Sequence, residues 1–378
     1  MQARFFVATA MALILAGCGG GGGDSAPPAP PPAPPAPPPA PAPVPPPPPA
    51  ATLYQSPRSF SVAIFDGLSV PVSPGRTIPI RVRFPANFVP AVGERLPVIV
   101  WSHGGGPKTD GQLNNAEWGD AFASAGYVVI HMSHLPRTTA ETTALYAEFG
   151  LTPQQGQQCF VSLIVDRPRD ATAVLHDLAR IQSLVPGLPA PFDLTRVAMA
   201  GHSFGAYTTR LMGGARVDLC PDAGTIAGFP ANFAFRSVSF RSEVPRIFMA
   251  LSPQGPGRFG FFTNSWDGLN RPDITLSGDG DITPSFGGED DGEQPVDRIF
   301  PFSVMPSGDK FLMYIASAQA THNTFNLGGN SALFSSYVRS TGLAFMDTYL
   351  QNSPAARNFL TANQLGAVSG GVARIDAR

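Results

Sequence analysis

Six short apolar runs, separated by stretches of helical spacing, limit this chain to few architectures. Leu96 to Trp101 (LPVIVW), Tyr127 to His131 (YVVIH), Arg196 to Ala200 (RVAMA), Arg246 to Leu251, Asp273 to Leu276 and Phe311 to Ile315 are each too brief for a buried helix. Continuous apolar runs of this length suit strands buried on both faces, as in a parallel sheet. Helical spacing fills Asn115 to Ala125, Pro168 to Leu184, Phe204 to Met212 and Ser331 to Leu350. The alternation predicts an α/β fold with a mostly parallel central sheet and helices on both faces. Ser59 to Phe65 and Arg76 to Phe84 (RTIPIRVRF) read as an antiparallel lead-in to that sheet. No internal repeat is present.

The first fifty residues do not share this pattern. Met1 to Arg4 is a short basic start, and Phe5 to Ala16 is an unbroken run of apolar or small residues that Leu15-Ala16-Gly17-Cys18 closes. Twelve residues cannot cross a hydrocarbon core of about 30 Å, so the run reads as a signal-peptide segment rather than a spanning helix. The closing tetrapeptide resembles the lipobox of bacterial lipoproteins. That resemblance implies cleavage before Cys18, lipidation of its thiol, and attachment to a membrane of the bacterial cell envelope with the remaining chain outside the cytoplasm. Five glycines follow from Gly19 to Gly23, and 17 of the 42 prolines lie between Pro27 and Pro49. Glycines make a hinge and proline runs adopt extended polyproline II, so the tract reads as a spacer. The expected organisation is a signal peptide over 1–17, a lipidated linker over 18–52 and one globular domain over 53–378.

Composition excludes some partners. A formal net charge of −2 leaves no excess of Lys and Arg to neutralise phosphates, so nucleic acid is not an expected partner. With Cys18 assigned to lipid, Cys159 and Cys220 remain, in a compartment where disulfides persist; the expectation is a bridge between them, the alternative two buried thiols. Two cysteines without clustered histidines give no metal-site spacing.

The chemistry concentrates at Gly201-His202-Ser203-Phe204-Gly205. This G-x-S-x-G run sits after the strand Val197 to Ala200 and before a helix, where a sharp turn leaves no room for side chains two residues either side of the serine. Ser203 is the expected nucleophile; a helix-capping serine in a Gly-rich turn is the alternative. A serine hydroxyl needs a base. Of six histidines, His202 adjoins the serine and is expected to point away, and His322 alone follows it, in a loop after the strand Phe311 to Ile315. A carboxylate must orient that imidazole. Asp281, after the strand Ile274 to Leu276, is the first choice and Asp279 the second; the remaining acids of this stretch read as a solvated loop or a calcium site. Ser102-His103-Gly104-Gly105-Gly106 follows another strand and can present N–H groups to an oxyanion together with Phe204; Gly105 is the first choice and Gly104 the second. No cofactor or metal is required by this set. Pro136 to Gln158 is expected to form a polar lid. Pro253 to Trp266, carrying Phe259, Phe261, Phe262 and Trp266, is expected either to wall an apolar acyl site or to pack the core.

Taken in order, LPVIVWSHGGG, AGYVVI, the RPRD segment starting a helix, FDLTRVAMAGHSFGAYT, ALSPQGPG, SGDGD and SGDKFLMYIASAQATHNTF resemble the α/β-hydrolases. The resemblance is nearest to esterases of the dienelactone hydrolase-like and platelet-activating-factor acetylhydrolase-like group. It implies a serine esterase with Ser203, Asp281 and His322 as its triad and a small-molecule ester as substrate. A lipid, polyester or peptide hydrolase on the same triad, or a surface lipoprotein that binds without cleaving, are the alternatives.

Overall fold

The computed structural model describes residues 51–378 apart from 74, 222–223, 225, 227, 230–235 and 284–291. The signal segment, Cys18, nearly all of the linker, and Glu289, Asp290 and Asp291 lie outside the described residues.

Among the described residues eleven strands follow in order: β1 (Val62–Ser73), β2 (Arg76–Pro85), β3 (Leu96–Ser102), β4 (Val128–Met132), β5 (Phe192–His202), β6 (Arg216–Val217), β7 (Val238–Ser239), β8 (Ile247–Leu251), β9 (Asp273–Gly278), β10 (Lys310–Ile315) and β11 (Ala373–Ala377). The helices are α1 (Ala116–Ser124), α2 (Thr139–Glu148), α3 (Pro153–Gln158), α4 (Val161–His176), α5 (Leu178–Leu184), α6 (Phe204–Gly213), α7 (Pro295–Val304), α8 (Ala332–Leu350), α9 (Pro354–Thr361) and α10 (Gln364–Val368). Nine strands form one sheet in the order β1-β2-β4-β3-β5-β8-β9-β10-β11. The six from β4 to β10 are parallel to their neighbours; β1 and β2 on one side and β11 on the other pair antiparallel. The chain is thus α/β with a mostly parallel sheet, and the lead-in hairpin forms as the alternation in its sequence predicts.

The apolar runs are buried on both faces because helices cover both. Alternate residues Ile99, Trp101, Val129, Ala198, Ala200 and Met249 share one buried cluster with Trp118 and Phe122 of α1 and Phe345 of α8. Their neighbours Val98, Val100, Val128, Ile130, Val197 and Met199 share another with Ala171 and Val174 of α4 and Met212 of α6. A period of two therefore divides each strand between two cores.

Two expectations need correction. The RPRD segment does not begin a helix: α4 starts at Val161, and Pro168 stands inside it. Proline removes one ladder hydrogen bond, but Val161, Ile164 and Val165 are buried with Phe204 and Tyr207 of α6, and this burial holds the first turns in place. The helix also ends at His176, and α5 is a separate segment. The region expected as a polar lid folds into α2 and α3, each opened by a capping box (Thr138 with Glu141, Thr152 with Gln155). Leu145, Tyr146 and Leu151 anchor it in the same buried cluster as Phe204. A disulfide joins Cys159, at the end of α3, to Cys220, with Cα atoms 4.6 Å apart.

Candidate active site

In an open parallel sheet, ligands meet the carboxyl ends of strands where the strand order reverses. Here the chain passes from β3 to β4 on one side and then to β5 on the other, so the loops after β3 and β5 adjoin. Register pairs Ser102 with Gly201, His202 with Leu251 and Leu251 with Leu276, which brings all the sequence-selected loops to one edge.

Ser203 occupies the turn between β5 and α6 with φ 56° and ψ −122°, a conformation non-glycine residues rarely adopt. Its N–H donates to Leu251 O at 2.9 Å, and its carbonyl accepts from Ala206 and Tyr207, opening α6. The turn is tight enough to require both glycines. A Cβ on Gly205 would stand 1.9 Å from Ser102 O, and one on Gly201 2.5 Å from the Gly205 backbone. Phe204, as the first residue of α6, carries an N–H that intrahelical bonding leaves open. Among the described residues Ser203 Oγ makes no hydrogen bond, so its hydroxyl can turn toward a substrate.

His322 begins a 3-10 turn, His322–Asn326, after β10. Trp118 Nε1 of α1 donates to Phe325 O at 3.1 Å, and Asn115 donates to Asn326, so this turn is pinned to the element following β3. His322 Nδ1 lies 2.8 Å from Asp281 Oδ1. The chain can bring them together because Gly280 has no side chain: a Cβ there would meet Ala318 O at 2.2 Å. Asp281 is fully buried, and Ser277 Oγ donates to its Oδ2 at 2.9 Å. Asp279 is exposed and accepts from Tyr314 OH at 2.6 Å, so of the two aspartates Asp281 is the one that reaches His322.

Two residues complete this arrangement that the sequence reading had not selected. Arg298 of α7 is wholly buried. Its Nε donates to Asp281 O at 2.7 Å and lies 3.1 Å from Asp281 Oδ1; Nη1 donates to Ser252 O and Pro253 O, and Nη2 to Thr283 Oγ1. Burial works to raise the Asp281 carboxyl, but the His322 hydrogen bond and the Arg298 guanidinium outweigh it and hold the group below its ordinary value. Behind Arg298, Glu293 Oε2 is 3.3 Å away, and burial pushes this carboxyl up to about 7. No local pattern marks the arginine in PVDRIF as buried. His202, contrary to expectation, does not point away. Its Nε2 lies 2.9 Å from His322 O, and the two rings are 4.5 Å apart. A carbonyl only accepts, so Nε2 carries the proton. Burial, then the coulombic influence of His322, pushes His202 down to about 3, and it stays neutral beside His322. His202 thus ties the turn that carries Ser203 to the backbone and ring of His322.

Across the site, a Cβ on Gly104 would be 3.1 Å from Ser203 Cβ, whereas one on Gly105, at φ 73°, would meet only Lys108. The glycine loop therefore touches the serine at Gly104, with Gly105 next to it. Phe261 and Trp266 are core residues rather than pocket walls, and Phe259 stands edge-on to Phe204 at 4.9 Å. A cavity of 670 Å³ opens between β1 and α4, but none of the residues lining it belongs to this site. No family model matches this chain, and no curated protein matches it.

Proposed function

We propose that this chain is a serine hydrolase of the α/β-hydrolase kind, cleaving carboxylic esters of short or medium acyl chains through an acyl-enzyme. The observation that carries the reading is the strained Ser203 backbone, φ 56°, on a G-x-S-x-G turn that His202 links to His322, itself hydrogen-bonded to the buried Asp281. Strain of this kind is kept where a reactive group must be held out from the fold.

The roles follow from hydrogen-bond direction. His322 Nδ1 donates to the Asp281 carboxylate, which leaves Nε2 as the basic nitrogen. His322 Nε2 takes the Ser203 proton as Oγ attacks the ester carbonyl, forming a C–O bond and a tetrahedral oxyanion. N–H groups of Phe204 and of the Gly104–Gly105 loop stabilise that oxyanion. The imidazolium, paired with Asp281, returns its proton to the departing alkoxide, and an alcohol leaves. Water, deprotonated by His322, then attacks the acyl-enzyme, releasing a carboxylic acid and restoring Ser203. Asp281 remains ionised throughout, supported by Arg298.

The N-terminal sequence extends the proposal: cleavage before Cys18, lipidation of its thiol and a Pro/Ala spacer would tether the domain to an envelope membrane. Metabolic labelling with a palmitate analogue, lost in Cys18→Ala, tests the tether. For the activity, p-nitrophenyl esters of graded chain length assayed beside peptide substrates test the substrate class, with Ser203→Ala as control. A variant as active as the wild type would overturn the assignment of the nucleophile.

A further inference from the structure

Beneath the glycine loop lies a second, sealed set of polar groups that the mechanism does not use. Arg167, in the middle of α4 and 1% exposed, donates through Nη1 to His103 O at 2.7 Å and through Nη2 to Gly105 O and Gly106 O. Its guanidinium also lies over the Phe204 ring, 4.7 Å from the centroid. Nη1 reaches Ser102 Oγ at 3.4 Å; Ser102 Oγ is 2.8 Å from His134 Nε2, and His134 Nδ1 is 3.0 Å from Asp170 Oδ2. Donor and acceptor roles run one way through this chain: Arg167 to Ser102, Ser102 to His134, His134 to Asp170. Burial holds His134 well below its usual range, hence neutral, as that direction requires. Ser102 and Asp170 have no exposed surface, so this Ser–His–Asp set cannot meet a substrate; it is a truss. His103 completes it: Nδ1 donates to Gly104 O at 2.8 Å and Nε2 accepts from His134 N–H at 3.2 Å.

We propose that Arg167 is the positioning residue of the oxyanion loop, pinning the His103 and Gly105 carbonyls on one side so that the Gly104 and neighbouring N–H groups are presented on the other. The inference rests on the esterase reading. In a trans peptide the C=O of one residue and the N–H of the next point in opposite directions, so fixing the His103 oxygen fixes the direction of the Gly104 N–H. Gly104 is also the loop residue against Ser203. A cation on the carbonyl side further polarises each peptide unit, which strengthens its N–H as a donor to developing negative charge. The contact with Phe204 ties the other donor of the hole to the same guanidinium. Arg167 itself touches no substrate.

The test compares Arg167→Lys, Arg167→Gln and Ser102→Ala with the wild type on a p-nitrophenyl ester, with folding checked by near-UV circular dichroism. Loss of aligned oxyanion donors costs about 10²–10³ in kcat. Arg167→Gln should lose about 100-fold in kcat with KM within about twofold, and Arg167→Lys, which keeps one charge and fewer bonds, should lose about 10-fold. Millimolar guanidinium should restore part of the Arg167→Gln rate and leave the wild type unchanged. The pH dependence of kcat/KM should keep its shape, since the triad itself is untouched. In Ser102→Ala a fluorophosphonate should still label one serine, Ser203. If Arg167→Gln does not fold, Arg167→Lys carries the comparison. Folded Arg167 variants within about threefold of the wild-type kcat, or a loss confined to KM, overturn the inference while leaving the esterase reading intact. A wild-type protein that hydrolyses no ester and takes no label overturns both.

Discussion

Replacing Arg298 by Met removes a cation shared by two buried carboxylates, Asp281 and Glu293, while keeping much of the side-chain volume. Arg298 has no exposed surface, Asp281 none, and Glu293 6%. Removing one partner of a buried pair leaves an uncompensated charge and costs about 3–5 kcal/mol. The Ser252 and Pro253 carbonyls and the Thr283 hydroxyl lose their donor at the same time, so the upper end of that range is expected. For a domain of this size the loss lowers Tm by about 7 °C. Urea unfolding followed by tryptophan fluorescence measures the loss directly. The double variant Arg298→Met/Glu293→Gln should recover about 1–2 kcal/mol, because Glu293 then no longer needs a counter-charge. Esterase activity should fall in both variants, since Asp281 loses the guanidinium that keeps its carboxyl ionised and aligned. A single variant destabilised by less than about 1 kcal/mol, or a double variant no better than the single, would refute the claim that Arg298 is the shared counter-ion.

Three further perturbations probe other parts of the account. Gly205→Ala places a Cβ 1.9 Å from the Ser102 carbonyl and should abolish soluble folded protein, whereas Gly106→Ala, with nothing within 4 Å of its Cβ, should express normally; parallel expression with circular dichroism checks both. Burial keeps His103, His131, His134 and His202 neutral in the folded chain but not in the unfolded one, so stability is lost as pH falls below about 6.5; Asp170 and Glu293, each raised to about 7, work in the opposite sense. The four imidazoles outweigh Asp170 and Glu293, so stability falls as pH drops from about 6 to 5, a decline that Asp166 and Asp273, also raised by burial, make shallower; urea midpoints as a function of pH read it. Cys159→Ser/Cys220→Ser opens a loop spanning 61 residues and should cost about 4 kcal/mol, seen as a lower Tm that a reductant reproduces in the wild type.

What was legible in the sequence were features fixed by short-range chemistry. Runs such as LPVIVW must be buried on both faces, so the parallel sheet could be read from them; the serine turn was legible because only glycines fit at 201 and 205. His322 followed from chain order, since it alone lies beyond Ser203. The choice between Asp279 and Asp281 was not legible, because it depends on where Gly280 lets the turn approach Ala318 and on which carboxylate Arg298 covers. Nor was the start of α4, where burial of Val161 and Ile164 under α6 overrides the local signal of Pro168. The aromatics from Phe259 to Trp266 show the same limit: composition cannot distinguish a pocket wall from a core. Arg167 and Arg298 escaped notice, and His202 was expected to point away, for a related reason. Each acts through a carbonyl or carboxylate distant in sequence, and charge on a helix is ordinarily a solvated face.

The central claim is that Ser203 is an activated nucleophile. Incubation of the wild type and Ser203→Ala with a fluorophosphonate probe, followed by mass spectrometry of the peptide containing GHSFG, tests it most directly. The account predicts one label per chain, on Ser203, with labelling abolished in Ser203→Ala and ester hydrolysis lowered by about 10⁴-fold or more in that variant. An unlabelled Ser203 in folded protein, or a Ser203→Ala variant that hydrolyses esters as the wild type does, would contradict it.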